Sequence, residues 1–239
     1  MENVRLWDGV ADPYLYSAAA ALPSGDAVAV NFGCRKIDFK PDTGFWLNGK
    51  NIRLVGTARH QDRASLGNAL TTAEHEEDMQ ILRDMGANTV RLAHYQHAQY
   101  FYDLCDKYGL VAWAEIPYIT EHMPEANANA LSQMEELVTQ NYNHPSIICW
   151  GLSNEITVTT GVNDDMVATH HALNDLCHRL DATRPTTMAH AFMLDPNDPF
   201  VQLPDICSYN LYYGWYLGEL QQNDEFFDTF HKNHPDRVI

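Results

Sequence analysis

The sequence predicts an α/β chain whose β-loop-α units build an incomplete (β/α)8 barrel, preceded by a short all-β segment. Three observations carry that prediction. Apolar strands alternate with helices from residue 45 onward; six strands and the start of a seventh can be counted; and no Gly-x-Gly-x-x-Gly follows the first strand, which weakens the doubly wound alternative. Residues 1–44 then form one unit and residues 45–239 another.

In residues 1–44, short β-type runs (Ala27 to Phe32, Lys36 to Phe39) are broken by Pro13, Pro23, Ser24-Gly25 and Pro41 to Gly44. So few strands cannot close a stable sandwich alone, and the segment is expected to lean on the barrel as the remnant of a β-sandwich. Ile52 to Thr57 is predicted as the first barrel strand. Thr71-Thr72-Ala73-Glu74 offers a capping box opening a helix whose buried face carries Ile81, Leu82 and Met85. Asn88 to Ala93 is the second strand. Tyr100, Phe101, Leu104, Cys105 and Tyr108 recur at helical spacing, Gly109 stops that helix, and Leu110 to Ala114 gives a third strand. Leu131, Met134, Leu137 and Val138 mark a helix ended by Pro145. Ile147 to Leu152 comes next as a fourth strand, apolar on both faces as a helix-covered parallel strand should be. Met166, Val167, Leu173, Leu176, Cys177 and Leu180 carry a further helix before strands at Thr186 to Ala191 and Ile206 to Asn210. The link Phe192 to Pro204 is too rich in Pro and Asp for a full helix, Phe226, Phe227 and Phe230 sit in the next one, and Arg237-Val238-Ile239 begins a seventh strand.

Composition narrows the function. Lys and Arg number 15 against 32 Asp and Glu, a formal net charge of −17, which argues against nucleic acid as a partner. With 45% hydrophobic residues the chain can bury a sizeable core, and no apolar run approaches the ~18 residues of a membrane span. The five cysteines have no Cys-x-x-Cys spacing and read as buried free thiols. The N-terminus carries no secretory signal, so a reducing, cytoplasmic location is expected.

Barrel active sites lie at the C-terminal ends of the strands, and polar groups collect there. Arg59-His60-Gln61-Asp62 follows strand one, Arg91 to His94-Tyr95 runs through strand two, Glu115 ends strand three, Asn154-Glu155 ends strand four, and Asn210 to Tyr216 ends strand six. Glu155 is the leading catalytic candidate. No Lys or Arg lies between Tyr108 and His178, so a carboxyl emerging there finds no local cation, and desolvation should raise its pKa and suit it to donate a proton. Asn154 is placed to bond a substrate hydroxyl, and Arg91, in an apolar strand, needs a buried anion, naturally a catalytic carboxylate. His60 and His94 suit hydrogen bonds to a sugar better than metal ligation, and Tyr212, Tyr213, Trp215 and Tyr216 offer aromatic faces for a carbohydrate subsite. Trp7, Trp46 and Trp113 are read as structural.

Phe45 to Lys50 with Arg59 to Asp62, Val90 to Tyr95, Phe101 to Asp106, His144 to Ile147 through Ser153-Asn154-Glu155, and Asn210 to Tyr216 together resemble glycoside hydrolase family 2. That family holds β-galactosidases, β-glucuronidases and β-mannosidases. The resemblance implies a TIM barrel preceded by the end of an immunoglobulin-like domain, and a retaining mechanism with an acid/base and a nucleophilic carboxylate. It implies Glu155 as the acid/base and Asn154 as the holder of the sugar 2-hydroxyl. Arg91 and Tyr212 match groups orienting the nucleophile, His60 and His94 match sugar contacts, and Asn210, Trp215 and Tyr216 line the substrate site. The family's nucleophile, a Glu ending strand seven, is expected beyond Ile239, with Glu115 as a poor substitute. The chain is therefore expected to be an inactive fragment whose partners are a carbohydrate substrate and the missing upstream jelly-roll and remaining strands of the parent, with a homo-oligomer left open. No cofactor is expected, and the Glu-x-His spacing of a Mg2+-binding family variant is not kept in Glu115 to His122. Cleavage of terminal non-reducing β-D-galactosides is the leading function, β-glucuronidase the nearest rival. An inactive carbohydrate-binding module and a metal-dependent hydrolase using His60, His94 and Glu155 are the competing classes.

Overall fold

A computed structural model describes residues 1–239. The N-terminal part is antiparallel. Strands β1 (Tyr16–Ala21) and β2 (Ala27–Phe32) form a hairpin, and β3 (Ile37–Lys40), β4 (Gly44–Leu47) and β5 (Lys50–Asn51) form a three-stranded sheet. That second sheet runs across residue 44, since β3 pairs with β4 from Ile37↔Leu47 to Lys40↔Gly44. It lies under the barrel: Trp7, Phe45 and Leu47 pack with Val111, Ile148 and Cys149, and the Trp7 indole donates to the Asp106 carbonyl at 2.9 Å.

Six parallel strands come next, each but one joined to its successor by a helix. They are β6 (Gly56–Arg59), β7 (Thr89–Leu92), β8 (Val111–Glu115), β9 (Ile147–Asn154), β10 (Thr186–Ala191) and β11 (Ile206–Asn210). Their spatial order equals their chain order, so the sheet never reverses as a doubly wound one must. The backbone of Val238 pairs beside Ile206 as the first step of a seventh strand. The product is an incomplete α/β barrel.

Helices α1 (Thr72–Asp84), α2 (Gln99–Tyr108), α3 (Asn127–Asn141) and α4 (Asp164–Leu180) cover the outer face, and α5 (Gln222–Asn233) follows β11. Thr71 and Glu74 form the expected capping box, and Gly109 ends α2 at φ +79, where a Cβ would meet the Gly9 carbonyl at 2.2 Å. As expected, no helix joins β10 to β11. The 28-residue core runs between helices and sheet, and all eight residues of β9 are buried. No helix is long and apolar enough to cross a membrane.

Three details differ from the sequence expectation. The first barrel strand is displaced from Ile52–Thr57 to Gly56–Arg59, because Ile52 and Leu54 pack into the cluster under the barrel while pairing with β7 starts only at Gly56. Gly56 permits that start, since a Cβ there would lie 1.9 Å from the Thr89 carbonyl oxygen. In α1 the buried stripe is His75, Met79 and Leu82; Ile81 and Met85 face outward, because His75 turns in to meet Arg59. All five cysteines are free, but only four are buried, Cys34 being partly exposed between the hairpin and the barrel.

Candidate active site

The alternation of side chains along each strand sends one set into the barrel and the other toward the helices. Arg91 of β7 points inward and becomes the hub. Its Nε and Nη2 donate to the two carboxylate oxygens of Glu115 at 3.1 Å each, Nη2 also to Asn154 Oδ1 at 2.7 Å, and Nη1 to Asn210 Oδ1 at 3.0 Å. One guanidinium thus joins β7, β8, β9 and β11. Its carbon stands 4.6 Å from the centre of the Trp113 ring, which forms the floor, and Gly151 beside it has no side chain to displace either Trp113 or Glu115.

Glu115 is fully buried, and a second donor fixes it: His94 Nδ1 stands 2.6 Å from Oε1, the shorter of that nitrogen's two contacts, so it carries the proton. A carboxylate held by three donors and neutralised by Arg91 cannot turn to attack a substrate without breaking all of them. Asn154 Oδ1 accepts from both Arg91 and Asn210 Nδ2, the latter at 3.0 Å, which assigns its amide orientation and leaves both Nδ2 protons for a ligand hydroxyl. The His60 ring lies edge-on to His94 with centroids 5.1 Å apart.

Glu155 is different. It is half-buried, no lysine or arginine pairs with it, and its Oε1 accepts from the Tyr212 hydroxyl at 2.9 Å. Burial first, and the Glu155 carboxylate second, push the Tyr212 phenol up to about 12, so it remains a donor at neutral pH. The Glu155 backbone takes the left-handed conformation at φ +46, unusual for a side chain of this kind. Neighbouring strands hold it there. Glu155 N–H donates to the Ala189 carbonyl at 2.8 Å, Asn154 N–H to Tyr118 at 2.9 Å, and Thr120 N–H to Asn154 at 3.0 Å. Behind it, the Ser153 hydroxyl donates to His170 Nε2 at 2.8 Å, and His170 Nδ1–H in turn to the Met166 carbonyl at 2.8 Å.

The structure therefore gathers Arg91, His94, Asn154 and Asn210 into one network and pairs Tyr212 with Glu155 beside it. Trp215 and Tyr216 stand on the adjoining loop, 79% and 75% exposed, in an edge-to-face series running Tyr212, Tyr216, Trp215. The anion that Arg91 needs is Glu115, not a free catalytic carboxylate. Arg59, grouped with the mouth by its position in the sequence, faces the helices instead. Sequence reasoning missed Glu115 as the centre of the network and Trp113 as its floor. The strand period holds the signal, because Trp113 and Glu115 alternate onto the face that Arg91 occupies.

Two groups of metal-type side chains lie outside this network. His122 is tied up by the Tyr118 hydroxyl and by Asp165 Oδ2, the latter at 2.7 Å, on the helix side of the sheet. Asp103, Asp106 and His144 do converge, but before β9, where Asp106 already receives His144 Nδ1 at 2.6 Å and the Ser146 N–H at 3.0 Å.

Comparison with known proteins decides the lineage. The model of the glycosyl hydrolases family 2 TIM barrel domain matches residues 40–237. The chain belongs to this family. A β-glucuronidase of Bacteroides fragilis is 41% identical over 252 residues, covering 100% of this chain and 35% of its own length. A β-galactosidase of Thermoanaerobacterium thermosulfurigenes is 35% identical, covering 78% of this chain and 26% of its own length. Among solved structures, an FMN-binding β-glucuronidase of Faecalibacterium prausnitzii L2-6 superposes with TM-score 0.94 at 44% identity, over 98% of this chain and 37% of that one. This family 2 chain thus spans about a third of the length of the relatives it matches.

Proposed function

We propose that the chain is the barrel portion of a retaining glycoside hydrolase that removes terminal β-D-glucuronic acid. The observation that carries the reaction class is Glu155, a carboxyl set at the end of β9 with a phenol as its sole side-chain partner, directly beside an Asn154 whose amide protons are free. The sugar follows the relatives: two that match nearly the whole chain, at 41% and 35% identity, are named β-glucuronidase and putative β-glucuronidase, which favours the rival of the galactoside reading.

In this reading Glu155 protonates the glycosidic oxygen as the bond breaks, then takes a proton from water in the second half-reaction. Asn154 Nδ2 donates to the sugar 2-hydroxyl. The Arg91–Glu115 pair keeps Asn154 in register below the ring. Because Glu115 is immobilised, the attacking carboxylate is a residue beyond 239, and the whole protein supplies it together with an upstream jelly-roll. The β1–β2 hairpin is proposed as the end of an immunoglobulin-like sandwich, since every strand residue between Tyr16 and Phe32 at its two ends is exposed, as strands are when a sandwich partner is not there to cover them.

The test is Glu155→Gln in the full-length protein, assayed on aryl β-glucuronides and β-galactosides with good and poor leaving groups. Wild type should prefer glucuronides by about a hundredfold or more in kcat/KM, since a site built for a polar group rejects the analogue lacking it. The variant should lose about 10²–10⁴-fold on poor leaving groups and far less on activated ones, which need no acid. Equal losses on both would remove Glu155 from the acid role, and a galactoside preference would restore the rival sugar.

A further inference from the structure

A left-handed backbone persists in a residue with a side chain only where the surroundings over-determine it, and Glu155 is such a residue. Its backbone bonds to neighbouring strands fix the turn Ser153–Asn154–Glu155 within the sheet. They leave open what holds the turn from the helix side. Ser153, the residue before Asn154, turns its hydroxyl that way and is buried with it. Two acceptors stand in reach of that hydroxyl: His170 Nε2 of α4 at 2.8 Å and Met188 Sδ at 3.7 Å. The first is the hydrogen bond.

His170 is fully buried, and its Nδ1–H is spent on the Met166 carbonyl one turn back along α4, at 2.8 Å. Burial holds the ring neutral, pushing its pKa down to about 4, so Nε2 is left as a bare acceptor for Ser153. The same ring touches the other two supports of the turn. It stacks on Tyr118 with centroids 5.1 Å apart and planes 22° from parallel, and Tyr118 supplies the carbonyl that receives the Asn154 N–H. The far end of Tyr118 is pinned in turn, its hydroxyl meeting His122, whose other nitrogen faces Asp165 Oδ2 at 2.7 Å. On its other side His170 lies edge-on to Phe200 at 4.8 Å. Phe200 packs on His190 at 5.8 Å, next in the chain to Ala189, whose carbonyl receives the Glu155 N–H. One imidazole on α4 therefore bears on Ser153 directly, on Asn154 through Tyr118, and on Glu155 through Phe200 and β10.

We infer that His170 is a positioning residue for the proton donor: by accepting from Ser153 and stacking on Tyr118 it keeps the turn in the geometry that aims the Glu155 carboxyl at the leaving group. It touches no substrate, being buried behind the sheet. The inference rests on Glu155 as the acid. A proton donor displaced by a fraction of an ångström loses its advantage first with leaving groups that need the proton most.

The experiment measures kcat/KM of the full-length protein and of Ser153→Ala, His170→Leu, their double variant and Glu155→Gln on aryl glycosides of its preferred sugar with poor and activated leaving groups. His170→Leu should fall about tenfold or more on poor leaving groups and less than about threefold on activated ones. A histidine that only filled the core would change both classes alike. Ser153→Ala should show the same selectivity at smaller size, and adding it to His170→Leu should cost nothing further, because the two act through one hydrogen bond. Should His170→Leu fold poorly, Ser153→Ala, which removes a single hydroxyl, still decides. Equal losses on both classes, no selective loss in Ser153→Ala, or losses that multiply in the double variant would overturn the proposal. In that event a selective loss in Glu155→Gln leaves the acid assignment standing, whereas equal losses in Glu155→Gln remove the acid assignment and this proposal together.

Discussion

Arg59 and Arg91 sit on adjacent strands, one step apart in register: Ala58 lies opposite Arg91, and Arg59 opposite Leu92. Each guanidinium finds a carboxylate and an aromatic ring, with histidine beside it. Arg59 has Asp78 Oδ2 at 2.7 and 2.9 Å, His75 and His97 Nδ1 at 3.0 Å, and the Phe101 ring at 3.9 Å. Arg91 has Glu115, His94 Nδ1 at 3.2 Å and the Trp113 ring at 4.6 Å. The inventories match, yet one network ties a strand to α1 and the approach to α2, while the other ties four strands around the mouth. A single step of strand register decides which arginine belongs to the chemistry and which to the frame.

Replacing each arginine by methionine in the full-length protein should separate the two roles. Arg91→Met leaves Glu115 buried with His94 as its one remaining partner, with an expected stability loss of about 3–5 kcal/mol and a fall in kcat/KM of about 10³-fold or more. Arg59→Met should destabilise less, because Asp78 is 21% exposed and can rehydrate, and should lower kcat/KM by less than about tenfold at temperatures where the protein stays folded. Denaturant midpoints and steady-state kinetics read both quantities. A comparable kcat loss in Arg59→Met would erase the distinction.

A smaller effect is expected at Gly151, which lies opposite Glu115 in the β8–β9 pairing. A Cβ there would stand 2.4 Å from Glu115 Cβ and 2.5 Å from Trp113 Nε1, both on rigid strands. Gly151→Ala should cost about 1–3 kcal/mol, as overpacking does, and should lower kcat by about tenfold because it displaces the floor under Arg91. Unchanged kinetics with lowered stability would mean that the floor can shift without moving Asn154.

Much of this arrangement is legible in the sequence. The alternation of strands and helices, the Thr71–Glu74 box, the stop at Gly109 and the polar ends of strands two, four and six all arise from local chemistry that tertiary packing leaves in place. What escapes is directional. Ile52 and Leu54 read as strand because they are apolar, although their burial is against the sheet beneath the barrel. Ile81 and Met85 read as the buried face of α1 because hydropathy cannot foresee that His75 turns inward toward a buried arginine. Glu115 is hidden for the same reason: its weight comes from Arg91 and His94 on another strand. The sugar is set by residues outside residues 1–239 in the proposed reading, and so no motif within the chain separates glucuronide from galactoside.

The Arg59 side should also respond to acid. Burial, and secondarily the Arg59 charge, hold His97 down at about 3 against an ordinary 6.5, with Nδ1 facing Arg59 and Nε2–H on the Ala93 carbonyl at 3.1 Å. The folded protein refuses this proton and the unfolded chain accepts it below about pH 6.5. Stability present above that pH is therefore lost as pH falls toward 3, by at most about 1.4 kcal/mol per unit for each such group. His170 and His190, pushed down by burial to about 4 and about 3, add to the same slope. His97→Gln offers Arg59 an acceptor and Ala93 a donor without titrating, so between pH 6.5 and 5 its melting temperature should fall less steeply than that of wild type. An unchanged slope would mean that His97 is protonated in the folded state, and that Arg59 is held by Asp78 and His75 alone.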